Sequence, residues 1–252
     1  MEPCNKNGVD NFLSTMISKG AYPSKENLRF KYNQIFGNID FEGKNVLEIG
    51  GGKGVFCFYA AIHGANWVVN LEPEGEGSKS FYIKNFSDLK DALGVNNVEL
   101  VESTFQEYDS LNRKFDIILL YNSINHLDEE ACITLLKKPG SWDIYRNIFK
   151  RIHSLSNYSA KIILGDCSNK NFFPMIGLQN PICKNIEWHK HQAPSVWIKL
   201  LKECGFSNPE ISWTSFNSTG NTGKLLFGNR YLSYFLISHF VLKMDKVNTA
   251  TN

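Results

Sequence analysis

The six cysteines, at 4, 57, 132, 167, 183 and 204, form no Cys-x-x-Cys pair. Their scatter argues against a disulfide framework or a zinc knuckle and suits a reducing compartment. An excess of one charge is also lacking. The 27 Lys and Arg against 25 Asp and Glu leave a net +2, too little for a nucleic-acid footprint. Basic pairs such as Lys137-Lys138 and Lys150-Arg151 are short and read as solvated helix faces. No long uncharged apolar run is present. The most apolar stretch, Leu225 to Met244, carries Arg230, His239 and Lys243, which a membrane span resists. Met1 to Gly20 has no apolar run of the kind a secretory leader needs. The expectation is a cytoplasmic protein with no integral membrane segment and no nucleic-acid partner.

What is present is a run of 252 residues, 42% hydrophobic, enough for one sizeable core. Within it, Asn45-Val-Leu-Glu-Ile-Gly-Gly-Gly-Lys-Gly54 places Glu48 two residues before a glycine ladder, Gly50, Gly52 and Gly54, with Gly51 between. An apolar strand leads in and an apolar helix, Val55 to His63, follows. Bare backbone at such a turn lets a small ligand approach closely. A dinucleotide fingerprint needs its third glycine one place later, where Val55 stands. A carboxylate at that turn would also repel a pyrophosphate, whereas it can help hold an amino group and sits well near a sulfonium. Both points disfavour a nicotinamide oxidoreductase.

Strands and helices then alternate. Strands are expected at Asn45 to Ile49, Trp67 to Leu71, Val98 to Val101, Phe115 to Tyr121 and Ala160 to Leu164. Helices are expected at Glu26 to Phe36, from about Ser78 to Leu93, after Ser141 as a cap, and after Pro194. This alternation implies a doubly wound, mostly parallel sheet between helix layers. Residues 1 to 24 read as a polar tail or lid, and 25 to 246 as one domain. Ser168 to Gln192 breaks the rhythm, and a long irregular connection in a compact domain is usually functional or disordered. Beyond it, Ile211 to Phe216 reads as a strand, Lys224 to Leu236 as a helix and His239 to Met244 as a final strand.

Ligands in open α/β sheets bind beyond the carboxyl ends of the strands. Strand two ends in Leu71-Glu72-Pro73, and Glu72 can accept both hydroxyls of a ribose. The order Glu48-x-Gly50-x-Gly52-x-Gly54, then Glu72, then Phe115 to Asn122, then Gly205-Phe206, resembles the class I S-adenosylmethionine-dependent methyltransferases over roughly residues 25 to 245. The resemblance implies a Rossmann-like, three-layer fold with seven strands, the last antiparallel, and S-adenosylmethionine as cofactor. It implies that Gly50 to Gly54 face the methionine moiety, that Glu72 with Pro73 holds the ribose, and that the turn Ser103-Thr104-Phe105 contacts adenine. Many members carry an acid where Ser103 stands, so either Ser103 substitutes or Glu102 serves.

Methyl transfer from a sulfonium is an in-line displacement that needs donor and acceptor held in line and water excluded. Strand four ends in Tyr121-Asn122-Ser123-Ile124-Asn125-His126. The resemblance puts this turn beside the methyl group. Tyr121 could flank the sulfonium, and Asn122 could offer a carbonyl to the methionine amine or to an acceptor. Asn125 could contact the acceptor. His126 could be a general base, or Asn125 and His126 could merely cap the next helix. Trp188-His189-Lys190-His191 is a second cluster. His189 and His191 point the same way if extended, with Trp188 and His189 as acceptor contacts and His191 as a second candidate base. No third metal ligand is in place, so no metal is expected. The acceptor is expected to be a small molecule, methylated on oxygen. A lipid or protein acceptor, or a non-catalytic cofactor-binding module, is the alternative, and the aromatic tail from Leu225 to Phe240 could expose a face to lipid as a peripheral contact.

Overall fold

The computed structural model describes residues 6–73, 82–214, 216 and 220–247. The chain gathers into two compact units, Met1–Leu120 and Tyr121–Asn252. The first opens with α1 (Lys6–Ser18) and α2 (Lys25–Ile35), followed by β1 (Asn45–Ile49), α3 (Val55–Ile62), β2 (Trp67–Leu71), α4 (Tyr82–Leu93), β3 (Val98–Val101) and β4 (Phe115–Tyr121). The β1 strand pairs in parallel with both β2 and β4, so that Leu47 lies opposite Val69 and Ile118, and β2 pairs in parallel with β3. Continuous apolar strands of this kind are buried on both faces. Val46, Leu47, Val68, Val69 and Ile117 to Leu120 are accordingly all buried.

The start of the chain departs from the expected tail. Phe12, Leu13 and Met16 share one face of α1 and are buried. That face meets an aromatic cluster in which the rings of Tyr32 and Tyr59 stack 4.0 Å apart. The Tyr32 hydroxyl donates to the Val55 carbonyl at the start of α3 (2.8 Å), tying α2 to the glycine turn. Residues 1–5 and the expected first turn of α4, from Ser78, lie outside the described residues.

The second unit contains a 3-10 turn (Ile124–His126), α5 (Glu129–Thr134), α6 (Pro139–Leu155) and β5 (Ser156–Cys167). These are followed by α7 (Phe172–Met175), a second 3-10 turn (Trp188–Lys190), α8 (Pro194–Glu203) and β6 (Phe206–Trp213). It ends with α9 (Gly220–Phe227), α10 (Arg230–Phe235) and β7 (His239–Lys246). The β7 strand is antiparallel to both β5 and β6. The strand order is β3-β2-β1-β4-β5-β7-β6, a Rossmann-like mixed sheet of seven strands flanked by helices.

Three local expectations shift. Ser141 does not cap α6: Pro139 takes the first turn after Lys138, and the Ser141 hydroxyl instead meets that of Thr134 at 2.7 Å. The helix expected over Lys224 to Leu236 is two helices, because the Asn229 side chain accepts from the Tyr231 and Leu232 amides and caps α10 afresh. The strand expected at Ile211 to Phe216 begins earlier, at Phe206. A register shift near Asn208, which has φ +52°, lets it do so, and Ser215 lies outside the described residues.

Candidate active site

The glycine turn is built from backbone that side chains rarely adopt. Gly50, Gly52 and Gly54 have φ of +72°, +54° and +75°. The Gly50 amide donates to the Leu71 carbonyl (2.7 Å), and Gly54, as the cap of α3, donates to Gly51 (2.9 Å). Gly52 is held from two sides. Its amide donates to the Glu72 carboxylate (2.8 Å), and its carbonyl accepts from the Asn70 side chain (3.2 Å). Among the described residues, a β-carbon on Gly52 would meet nothing nearer than the Tyr82 ring at 3.9 Å, so they leave the space before it open.

Gly51 is closed in instead. A β-carbon there would overlap Asn70 Oδ1 and come within 2.6 Å of the Glu48 carboxyl carbon. Glu48 lies beneath the turn, 2% exposed. It accepts from the Cys57 amide (3.0 Å) and the Cys57 thiol (2.8 Å) in the first turn of α3. Burial pushes its carboxyl up to about 8, against the pull of those bonds. Nearby Lys31 is pushed down to about 8 by burial, opposed by Glu48, and lies 5.2 Å from the Phe56 ring centroid. Glu72 is only partly buried, and its carboxyl is raised by desolvation and lowered by the Gly52 amide. Pro73 follows it. In the next turn Phe105 is buried, the Ser103 hydroxyl donates to the Thr104 carbonyl (3.1 Å), and Thr104 pairs with Glu107 (2.8 Å). Glu102 is exposed and lines an open cleft of about 510 Å³ with Trp67, Phe86 and Lys90.

In the second unit, Tyr121 and Asn122 open the strand-four turn. Asn122 adopts φ +54° and donates its amide to Gly165 (2.7 Å). Its side-chain oxygen lies 3.1 Å from Nε2 of His239, whose Nδ1 is 3.0 Å from the Thr214 hydroxyl. The Tyr121 ring lies 5.3 Å from that of His239. Asn125 is buried, and its side-chain oxygen has no hydrogen-bond partner. His126 has a side chain 62% exposed and lies 3.5 Å from Glu129. The cap of α5 is Asp128, whose carboxylate accepts from the Ala131 amide (2.9 Å).

His191 sits differently. Its side chain is 15% exposed, and Nδ1 lies 2.9 Å from Oδ1 of the fully buried Asp166. That oxygen also accepts from the Cys167 amide (2.8 Å), while Oδ2 is buried and has no hydrogen-bond partner among the described residues. Burial raises the Asp166 carboxyl, and the His191 hydrogen bond and charge oppose this. The 3-10 turn at Trp188–Lys190 removes the extended alternation expected of the two histidines. His189 is exposed, while His191 reaches Asp166. Trp188 is half-buried. Lys190 pins this turn through Glu129 and Glu187, each at 2.9 Å.

Sequence reasoning missed Asn70, Lys31 and His239, and did not link Asp166 to His191. Asp166 ends β5 as Glu72 follows β2, so the carboxyl-end rule that found one could have found the other. His239 carries no local signal, because β7 brings it back from a distance of over a hundred residues in the chain.

A family profile described as a methyltransferase domain matches residues 25–210. None of the curated proteins matches the sequence. Among solved structures, a chain from Listeria monocytogenes assigned as an S-adenosylmethionine-dependent methyltransferase aligns with a TM-score of 0.59 at 12% identity, covering 87% of this chain and 99% of that one. An S-adenosylmethionine-dependent methyltransferase from Mesorhizobium loti gives 0.55 at 11% identity, covering 82% and 93%. The mitomycin 7-O-methyltransferase MmcR gives 0.54 at 13% identity, covering 93% of this chain and 55% of that one. At such identities these likenesses speak for the fold alone. With the matched family domain, the glycine turn and the seven-stranded sheet, the chain belongs to the class I S-adenosylmethionine-dependent methyltransferases.

Proposed function

We propose that the chain moves a methyl group from S-adenosylmethionine to a hydroxyl oxygen of a small-molecule acceptor, with His191 as the general base. The observation that carries this reading is the Asp166–His191 pair. With its Nδ1–H donated to Asp166, the imidazole keeps its Nε2 lone pair as the basic site. His191 takes the hydroxyl proton at Nε2, and Asp166 stabilises the imidazolium that forms. S-Adenosylmethionine held there would supply the methyl on a positively charged sulfur, which would keep the bonding pair as the methyl leaves.

Two features support the fit of that cofactor. Gly52 offers left-handed backbone with open space before it, and Glu72 sits beside it. We assign Gly50, Gly51, Gly52 and Gly54 to the methionine end and Glu72 with Pro73 to the ribose. Ser103, Thr104 and Phe105 are assigned to adenine, and Tyr121 and Asn122 to the surroundings of the sulfonium. Glu48 acts from beneath, by fixing the turn through Cys57. Asn125, Trp188 and His189 are assigned to the acceptor, and His126 to a lesser, electrostatic part. Among the described residues five cysteines are free, which supports a cytoplasmic setting. No described helix is long and apolar enough to cross a membrane.

Calorimetry should show binding of S-adenosylmethionine and of its demethylated product; binding of NAD in their place overturns the reading. Incubation with isotope-labelled donor and cell extract, followed by mass spectrometry, should give a product labelled on oxygen. Label on nitrogen or carbon refutes the hydroxyl acceptor. Tight donor binding with no labelled product points to a non-catalytic module.

A further inference from the structure

Two helices of the second unit are built inside out. On α10 the fully buried position is Ser233, while Tyr231, Leu232 and Phe235 are exposed. On α9 the buried residue is Gly223, whereas Leu225 and Leu226 are 84% and 52% exposed. A helix that serves only a core shows the reverse. Just after α7, Ile176 and Leu178 are also exposed, as is Met175 at its end.

Those of α7 and α10 stand on a fixed base. The Tyr234 hydroxyl donates to the Met175 sulfur (3.5 Å), and the Phe172 and Phe235 rings lie 5.0 Å apart. Beneath them the amides of Asn171 and Asn180 both donate to the Leu236 carbonyl (3.0 and 2.6 Å), and Asn171 also donates to Ser238 (3.0 Å). The apolar face is therefore displayed by a hydrogen-bonded platform, and exposed patches of this kind mark interaction sites.

The charge around the face selects the occupant. Residues 168–192 and 216–236 hold five of the 27 Lys and Arg residues but one of the 25 Asp and Glu residues, and so carry +4 of a chain whose whole balance is +2. Lys170, Lys184, Lys224 and Arg230 are all exposed. The single acid, Glu187, is paired with Lys190. Two copies meeting face to face across a twofold axis would bring these cations together, which disfavours self-association. An anionic bilayer matches both features, taking the apolar side chains into its interface and the cations among its headgroups.

We propose that the exposed apolar side chains of α7, α9 and α10, with the cations beside them in the chain, dock peripherally onto an anionic membrane surface. This goes beyond the reading of the acceptor and does not depend on it. The full chain should sediment with vesicles of equimolar phosphatidylglycerol and phosphatidylcholine, and hardly at all with phosphatidylcholine alone. The double variant Leu225→Glu/Tyr231→Glu should stay in the supernatant while binding S-adenosylmethionine as before, since both positions are exposed. Lys224→Glu and Arg230→Glu should each weaken vesicle binding by about fivefold or more. Absence of sedimentation with either vesicle, or equal sedimentation with both, overturns the proposal. So does a concentration-dependent dimer that the double variant abolishes, which would assign the face to a second copy.

Discussion

The glycine turn of the first unit and the exposed apolar side chains of α7, α9 and α10 of the second follow opposite rules. At the turn, backbone is left bare and neighbouring polar groups hold it: Glu72 and Asn70 on Gly52, Cys57 on Glu48. On α7 and α10, apolar side chains are displayed and the polar groups are kept underneath. If both proposals hold, the difference teaches that a small cofactor is met with main chain, whose shape few substitutions can imitate, and a broad surface with side chains on short helices.

The sharpest way to separate the two regions is at the proposed base. His191→Ala should lower kcat on the acceptor found from labelled extract by about 10²- to 10⁴-fold. Its dissociation constant for S-adenosylmethionine should stay the same. A parallel loss of cofactor affinity would mean that His191 belongs to the donor side.

Next in size is a pair of glycine substitutions. Gly52→Val forces a branched side chain into left-handed backbone, a strain of about 1–2 kcal/mol, and fills open space. Cofactor affinity should fall at least tenfold by calorimetry, with a modest drop in Tm. Gly51→Ala should do the reverse, because its β-carbon overlaps Asn70 and Glu48. Overpacking of this kind costs about 1–3 kcal/mol of stability. Equal melting temperatures for the two variants would erase the distinction between the open and the closed glycine.

A smaller effect concerns pH. The Glu48 carboxyl ordinarily titrates near 4.5 but is raised to about 8 by burial. Between those values the folded state keeps a proton that the unfolded chain has lost, so stability falls as pH rises, by at most about 1.4 kcal/mol per pH unit. Lys31, lowered from 10.5 to about 8, acts only above that range and restores stability as pH climbs further. Glu48→Gln keeps the neutral shape and should flatten the decline between about pH 5 and pH 8 in thermal melts. A decline unchanged in the variant would mean that Glu48 is not its source.

The smallest effect is expected at His126, which is exposed and paired with Glu129. His126→Ala should change kcat by about twofold or less, in keeping with a surface ion pair of little energetic weight. A loss matching that of His191 would make the two histidines joint partners.

The parts of the fold legible in the sequence were those with local causes. The register of Gly50, Gly52 and Gly54 was readable because positive φ demands glycine at fixed steps, and the β1, β2 and β4 strands were readable as short, mostly apolar runs interrupted by single polar residues such as Glu48, Asn70 and Asp116. Helix α1 was missed because three apolar residues, Phe12, Leu13 and Met16, are a weak stripe until an aromatic cluster gives them something to bury against. The Asp166–His191 pair was half visible. His191 stood out as a candidate base, but its link to Asp166 across the irregular segment has no period to reveal it. The His239–Asn122 link was wholly invisible, since only the antiparallel return of β7 creates it.

That last link also limits what the strand-four turn can say to a ligand. With Nε2–H of His239 donated to the side-chain oxygen of Asn122, the amide is locked one way round. Its NH₂ is then left as a donor to a lone pair on oxygen or nitrogen, while an ammonium group can address the Asn122 main-chain carbonyl or the second lone pair of the side-chain oxygen. One histidine from the far end of the chain thus gives this turn a polarity: two kinds of partner, told apart by which atom of a single asparagine they address.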